Sequence, residues 1–489
     1  MRIAIVGAGV AGLAAAYELE QAWQQGAELD YELYESAPRL GGVISSRVKE
    51  GTVLEHGPDS FLTEKPAAIE LCRELGLGDQ LLGSDDNQRR TFILVGRRLV
   101  PLPDGLMFLV PTRLLPTLTT PLFDPLTKLR MGLEYMAMGW LHRVRPGGQD
   151  ESVASLVRRH YGQVVVDRLA DPLLSGIYGG DAEQLSAQSV LPAMVRLESE
   201  YGSLTRGMLA ARRKQHAAAK HASHGQRRTL FTTLRGGLQQ LVDALVERLD
   251  PARLHPNVKA DLLSLDASGW RLRFTDHPTE RFDAVILATP AWAAARLVRE
   301  VHGPMSQELA AVPYSSSITV NLVYDESEIP PLPPGFGFLV PAVERRAMLA
   351  CTFVHRKFPG RTAPGKAVLR CFAGGMRGES MMEESEETIV RHMREDLRGI
   401  LGIACEPRAI ESRRWPRSMA QYSVGHAARI TRIRDYASAL PRLHLIGNAY
   451  DGIGISDCIR LGRAAAAALA QSAVRAAADE SVFPHRTEA

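Results

Sequence analysis

A glycine-rich turn stands at the start of this chain, wedged between a short apolar run and a segment of helical composition. Arg2–Val6 reads as a strand, Gly7-Ala8-Gly9-Val10-Ala11-Gly12 follows at once, and residues 13–21 continue as a helix. Glu35 stands 23 residues beyond Gly12, at the end of the strand-like run 31–34. The order strand, glycine turn, helix, strand, acid predicts a dinucleotide-binding unit. Gly7 is expected to make the tight turn, Gly9 to let the backbone approach a pyrophosphate, and Gly12 to let the helix pack on the strand. The helix N-terminus then offers free N–H groups and the positive end of its dipole to the phosphates. Glu35 is expected to accept from ribose hydroxyls, which favours a cofactor without a 2′-phosphate.

A chain of 489 residues is long enough for two or three domains. Its 45% hydrophobic and 23% charged residues suit a folded protein, and a net charge of +3 does not suggest a nucleic-acid binder. Cys72, Cys351, Cys371, Cys405 and Cys458 are scattered and form no CxxC pair. Free thiols in a reducing compartment are therefore expected, with no cysteine zinc site. With the first strand beginning at residue 2, no cleaved signal peptide is expected, and no apolar stretch is long enough to span a bilayer. A cytoplasmic location is expected.

Two turn-rich segments follow short strands: Arg39-Leu40-Gly41-Gly42, and Glu55-His56-Gly57-Pro58-Asp59-Ser60. Both are of the kind that touches a cofactor with backbone groups. Residues 102–201 read mainly as helices with proline breaks. The apolar stretch 131–141 carries Tyr135 and Trp140 and is flanked by Arg130, His142 and Arg143. Residues 201–242 hold no Asp or Glu but many Arg and Lys, with His216, His221 and His224 among them, and read as an exposed basic loop. The histidines show no ligand spacing, so no metal site is expected. A strand at 257–259, an alternating hairpin with Trp270, Leu272 and Phe274, and a buried strand at 284–287 follow; residues 313–410 read as a separate α+β region. Near the other end, the strand 443–446 runs into the glycine turn 447–458 and a helix. Two strand–turn–helix units so far apart suggest that both termini return to one site.

GAGVAG, Glu35, RLGG and the C-terminal DGIGISDCI resemble the flavin amine oxidase and porphyrinogen oxidase superfamily. EHGPDSFL (55–62), LLSGIYGGDAEQLS (173–186) and RWPRSMAQYSVGH (414–426) narrow this to a resemblance to oxygen-dependent porphyrinogen oxidases, which aromatise protoporphyrinogen IX or coproporphyrinogen III in haem synthesis. The resemblance runs from Met1 to about Ala470. It implies an α/β plus α+β architecture: a discontinuous Rossmann-type FAD domain (1–90, 206–290, 413–489), a helical domain (91–205) whose association with a membrane is left open, and a mixed-sheet substrate domain (291–412). It also implies FAD contacts at Arg39, Gly42, Val43, Gly57, Pro58, Asp59, Ser60, Val258, Trp415, Ile453, Gly454 and Ile455, and substrate contacts at Phe336, Gly337, Leu339 and Phe372.

Protoporphyrinogen-using members often carry a propionate-pairing arginine near position 91, where this chain reads Arg90-Thr91-Phe92. Coproporphyrinogen-using bacterial members tend to have lysine at position 65, and this chain has Lys65. Four propionates gain more from such a lysine than two, so the expected reaction is oxidation of coproporphyrinogen III with O₂. Protoporphyrinogen IX is the alternative. A flavin amine oxidase, a carotenoid desaturase or a non-catalytic binder of the same fold are more distant readings. No catalytic acid or base is assigned, and peripheral membrane contact and a homodimer stay open.

Overall fold

The computed structural model describes residues 1–107, 109–136, 149–221 and 229–482. Five parallel strands form the sheet that the N-terminal turn begins, in the order Leu254–Pro256, Asp30–Glu35, Arg2–Val6, Ala284–Leu287 and Leu443–Leu445. In the first strand Ile3 and Ile5 face one hydrophobic core, while Ala4 and Val6 face another. A parallel strand covered on both faces needs this near-continuous apolarity. One face carries the helices Val10–Gln24 and Ile455–Val482. They meet closely, since a Cβ at Gly462 would lie 2.2 Å from the Ala11 carbonyl oxygen. The other face carries the antiparallel strands Ala260–Asp266, Gly269–Phe274 and Glu280–Phe282, with Trp270, Leu272 and Phe274 pointing inward.

The strand expected at 257–259 lies earlier, at Leu254–Pro256. Asn257 takes φ 61°, a left-handed turn conformation that asparagine tolerates. The Val258 N–H then donates to the Glu35 carbonyl at 2.9 Å, which brings Val258 to the tip of the second strand.

A seven-stranded mixed sheet packs beside this unit, in the order Ala409–Ala420, Tyr314–Asp325, Lys366–Gly374, Ala350–Phe353, Gly337–Leu339, Thr91–Val95 and Arg98–Pro101. The helix Glu386–Leu401 covers it with Ile389, Met393 and Leu397. Residues 91–101 thus join this sheet, with Thr91–Val95 parallel to Gly337–Leu339, rather than the helices that follow them in sequence. Those helices include Pro125–Met136, Val153–Tyr161, Asp171–Tyr178, Pro192–Tyr201 and Leu204–His221. Val153–Tyr161 is capped by the Ser152 hydroxyl and buries Val153, Leu156, Val157 and Tyr161 at helical spacing. Asp171–Tyr178 ends on Gly179, whose φ of 57° reverses the chain toward the seven-stranded sheet.

The expected basic loop is a helix over Leu204–His221, packed on Pro192–Tyr201 and anchored by the buried Leu204 and Met208. Its Ala, Arg, Lys and Leu residues are strong helix formers, and that propensity outweighs the charge pattern from which the loop was read. His224 lies outside the described residues. So do Trp140 of the apolar stretch and the flanking His142 and Arg143; the stretch is helical over its described residues, to Met136. No helix among the described residues is long and apolar enough to cross a membrane.

Candidate functional site

The glycine turn is shaped by collisions that only glycine avoids. A Cβ on Gly7 (φ 101°) would sit 2.9 Å from the Ala288 carbonyl oxygen, and one on Gly12 would sit 1.9 Å from the Gly7 oxygen. At Gly9 the situation is reversed, because an added Cβ meets no protein atom within 4 Å. Gly9 is also the N-cap of the first helix and supplies no side-chain cap, so first-turn N–H groups are left for a ligand. The Glu35 carboxylate is fixed by accepting the Ala8 N–H (2.8 Å) on one oxygen and the Ala37 N–H (2.8 Å) on the other. A carboxylate has acceptor sites beyond these two. Arg39 does not line the cleft that opens here. Its guanidinium donates to the carbonyls of Leu40 (3.0 Å), Ile44 (2.7 Å) and Gly42 and so braces the second glycine turn, which meets the first through the Gly41 N–H on the Ala8 carbonyl at 2.7 Å. Ala8 and Gly12 also lie behind the cleft wall.

From Gly9 and Glu35 one continuous cleft of about 1680 Å³ runs between the two sheets. That exceeds the ~300–1,000 Å³ of an ordinary small-molecule pocket. Gly7, Gly9, Val10, Ala11, Glu35, Gly42, Val43 and Val258 line its first part. Gly57, Pro58, Asp59, Ser60, Trp415, Ile453, Gly454 and Ile455 line the middle. Trp415 is held by its indole N–H, which donates to the His56 carbonyl at 2.8 Å. The turn before the C-terminal helix is held by Tyr422, whose hydroxyl donates to the Asn448 carbonyl and accepts the Gly452 N–H, both at 2.9 Å.

The far part has an apolar wall of Ile177, Tyr178, Leu339, Leu349 and Phe372. Leu339 and Phe372 are thus brought to the cleft, whereas Phe336 and Gly337 are not among its lining residues. Gly337 serves strand pairing, because a Cβ there would lie 2.0 Å from the Cys351 carbonyl oxygen. Phe336 is buried, with its backbone N–H on the Arg90 carbonyl at 2.8 Å.

Charged groups in the cleft depart most from the sequence reading. Lys65 lines it, but its ammonium pairs with Asp457 at 2.6 Å. Lys357 and Arg370 also line it, and both converge on Asp59. Burial opposes ionisation of Asp59, but these two cations outweigh it and hold the carboxyl well below the usual carboxylate range. Nothing in local spacing reveals this group, since Asp59 and Lys357 are 298 residues apart. At another point of the wall, Arg296 and Arg417 stack on Trp292, each 4.7 Å from a ring centroid. Neither guanidinium has an ion-pair partner among the described residues.

Backbone N–H groups left free at a helix start, open space at Gly9 and one fixed carboxylate together fit a dinucleotide. The described residues hold no group of side chains suited to a metal ion. The family of flavin containing amine oxidoreductases matches residues 10–470. The chain is 34% identical over 468 residues to a coproporphyrinogen III oxidase of Bacillus subtilis, covering 95% of this chain and 96% of that one. It is 25% identical over 492 residues to the chloroplastic/mitochondrial protoporphyrinogen oxidase 2 of Arabidopsis thaliana, with 95% and 93% covered. Among solved structures, a "Putative protoporphyrinogen oxidase" from Exiguobacterium sp. 255-15 superposes with a TM-score of 0.83 at 30% identity, over 96% of this chain and 99% of that one. The cyclohexylamine oxidase of Brevibacterium oxydans shares the fold, with a TM-score of 0.69 at 18% identity over 96% and 99% of the two chains.

Proposed function

The chain belongs to the flavin-containing amine oxidoreductase family and is an FAD-dependent oxidoreductase, and on that premise we propose that it oxidises a porphyrinogen, coproporphyrinogen III, to coproporphyrin III. A porphyrinogen has four methylene bridges, and losing six electrons and six protons makes it aromatic. Three O₂ take these up and leave as three H₂O₂. The observation that carries the reading is the cleft itself. Its volume of about 1680 Å³ exceeds that of an ordinary small-molecule pocket, and beyond the glycine turns it carries an apolar wall of Ile177, Tyr178, Leu339, Leu349 and Phe372. The relatives named as coproporphyrinogen III oxidases support the four-propionate substrate.

When bound, FAD supplies the hydride chemistry and the reaction with oxygen. The chain's own residues bind and position. Gly9 and the first-turn N–H groups receive the diphosphate, Glu35 the ribose, and Val258 the adenine end. Residues 57–60, Trp415 and 453–455 hold the ring system. Ile177, Leu339 and Phe372 exclude water and fix one bridge carbon at a time, which is how binding lowers the barrier here. Pyrrole N–H groups lose protons readily, so no side chain is assigned as acid or base.

A second reading, protoporphyrinogen IX, is favoured by one observation: Asp457 already neutralises Lys65. A steady-state assay of both porphyrinogens, read by product fluorescence, decides between them. A higher kcat/KM for coproporphyrinogen III is expected, and a preference for protoporphyrinogen IX would reverse the assignment. We also place peripheral membrane contact on the helix Pro125–Met136, where Leu126, Leu129, Leu133 and Met136 are exposed along one face. Co-sedimentation with anionic vesicles at low salt is expected, and its absence would remove this contact.

A further inference from the structure

Beneath residues 57–60 lies a buried charge cluster that substrate binding does not explain. Arg361 and Arg370 are each 2% exposed and Glu55 3%, while Lys357 is 9% exposed. Arg361 pairs with Glu55. That leaves Asp59 shared between two cations. The Lys357 ammonium lies 3.1 and 3.0 Å from its two oxygens, and the Arg370 guanidinium 3.3 Å from one of them. Three cations therefore face two carboxylates, and no further carboxylate pairs with any of the three among the described residues.

The surroundings hold this positive charge without cancelling it. Lys357 sits over the Phe231 and Phe358 rings at 4.5 and 5.0 Å, and Arg370 over Phe372 at 4.7 Å. Ring faces attract cations weakly compared with a carboxylate. The cluster is also tied directly to the turn above it. Arg370 donates to the Gly57 carbonyl, and Lys357 lies 3.3 Å from the Ser60 hydroxyl oxygen. Burying an unbalanced charge costs stability. Such an excess makes physical sense beside a group that gains negative charge in the working cycle.

We propose that the Lys357–Asp59–Arg370 cluster sets the electron affinity of the flavin, its excess positive charge stabilising the negative charge that the ring system acquires on reduction. In this low-dielectric position a unit charge acts over several ångströms without touching the ring. Lys357 and Arg370 are thus positioning residues in an electrostatic sense, and they favour electron uptake from a large macrocycle. The inference rests on the reading that residues 57–60 contact the isoalloxazine.

The test uses the flavin-loaded protein and two readouts besides turnover. One is the flavin reduction potential, measured by equilibration with a reference dye. The other is the dissociation constant of sulfite, an anion that adds to the oxidised ring. Lys357→Met is expected to lower the potential and weaken sulfite binding at least tenfold. Lys357→Arg keeps the charge and is expected to stay within about threefold of wild type, which a purely steric role for the lysine would not give. If Lys357→Met fails to retain flavin, Arg370→Gln carries the same expectation. A flavin-loaded neutral variant with unchanged potential and sulfite affinity overturns the proposal. A wild-type protein without flavin absorbance would instead sink the cofactor reading on which it rests.

Discussion

Gly9 and Gly12 stand three residues apart in one turn and answer to opposite constraints. An added Cβ at Gly12 strikes the protein's own backbone, whereas one at Gly9 strikes nothing within 4 Å. Gly9→Val is therefore expected to fold normally and to purify colourless, its side chain standing where the diphosphate belongs. Circular dichroism and the visible spectrum check the two halves separately, and a fully yellow variant would detach this turn from the cofactor. Lys65 calls for a magnitude. A lysine committed to a propionate would contribute roughly 1.5–3 kcal/mol, or more than tenfold in KM. With its side chain 43% exposed and already paired to Asp457, it is closer to a surface ion pair, worth roughly 0–1 kcal/mol. Lys65→Ala is accordingly expected to raise KM for coproporphyrinogen III less than fivefold with kcat unchanged. A tenfold or larger rise would show that the lysine leaves Asp457 for the substrate. The glycines were legible in the sequence because their constraints are local. The partner of Lys65 was not, because Asp457 is 392 residues away.

The helices that follow Arg98–Pro101 in sequence are pinned by a buried ionic knot. His160 is fully buried, with Nδ1 3.1 Å from Glu134 and Nε2 3.0 Å from Glu198, while Arg159 pairs with Glu151 and Glu198. Burial disfavours the imidazolium, but hydrogen bonds to the two glutamates outweigh that and raise its pKa. For Glu198, burial is likewise outweighed by His160 and Arg159, which pull its pKa down from 4.5 to about 2. The histidine's contribution is complete below its unfolded pKa of about 6.5 and is lost as pH rises through the raised folded value. The contribution of Glu198 is complete above 4.5 and is lost as pH falls through about 2. Stability of this element should therefore be greatest between about pH 4.5 and 6.5 and decline on the alkaline side. His160→Gln should lose about 3–5 kcal/mol near pH 5.5, by leaving buried charge unpaired, and should no longer show the alkaline decline. Urea midpoints across pH measure both, and a parallel decline in wild type and variant would assign the titration elsewhere. Residues 102–201 were read only in outline as helices with proline breaks, and this knot joins three of those helices and follows no period of any one of them.

At the scale of the whole molecule, the cleft is assembled from pieces that the sequence scatters. Gly9 and Glu35 come from one end of the chain and Ile453 from the other, Leu339 and Phe372 from the seven-stranded sheet, and Ile177 from the helices. The parallel sheet was largely foreseen, because each of its glycine turns carries a local signature next to an apolar run. The edge of the mixed sheet was not, since Thr91–Val95 and Arg98–Pro101 are short strands whose register is set by Gly337–Leu339, far along the chain. A ligand that touches all these pieces stabilises the fold by mass action. At free FAD 100 to 1,000 times its dissociation constant the gain is about 2.7–4.1 kcal/mol. Each kcal/mol moves Tm by roughly 2–4 °C in a domain of 150–250 residues, and by less in a longer chain. Flavin-free protein is thus expected to melt several degrees below the loaded form and to regain the difference as FAD is added. FMN, which lacks the adenylate that Glu35 and Val258 would receive, should restore less at equal concentration. Scanning fluorimetry over a ligand series checks this. Equal stabilisation by the two flavins would mean that the Glu35 end of the cleft contributes nothing to holding the cofactor.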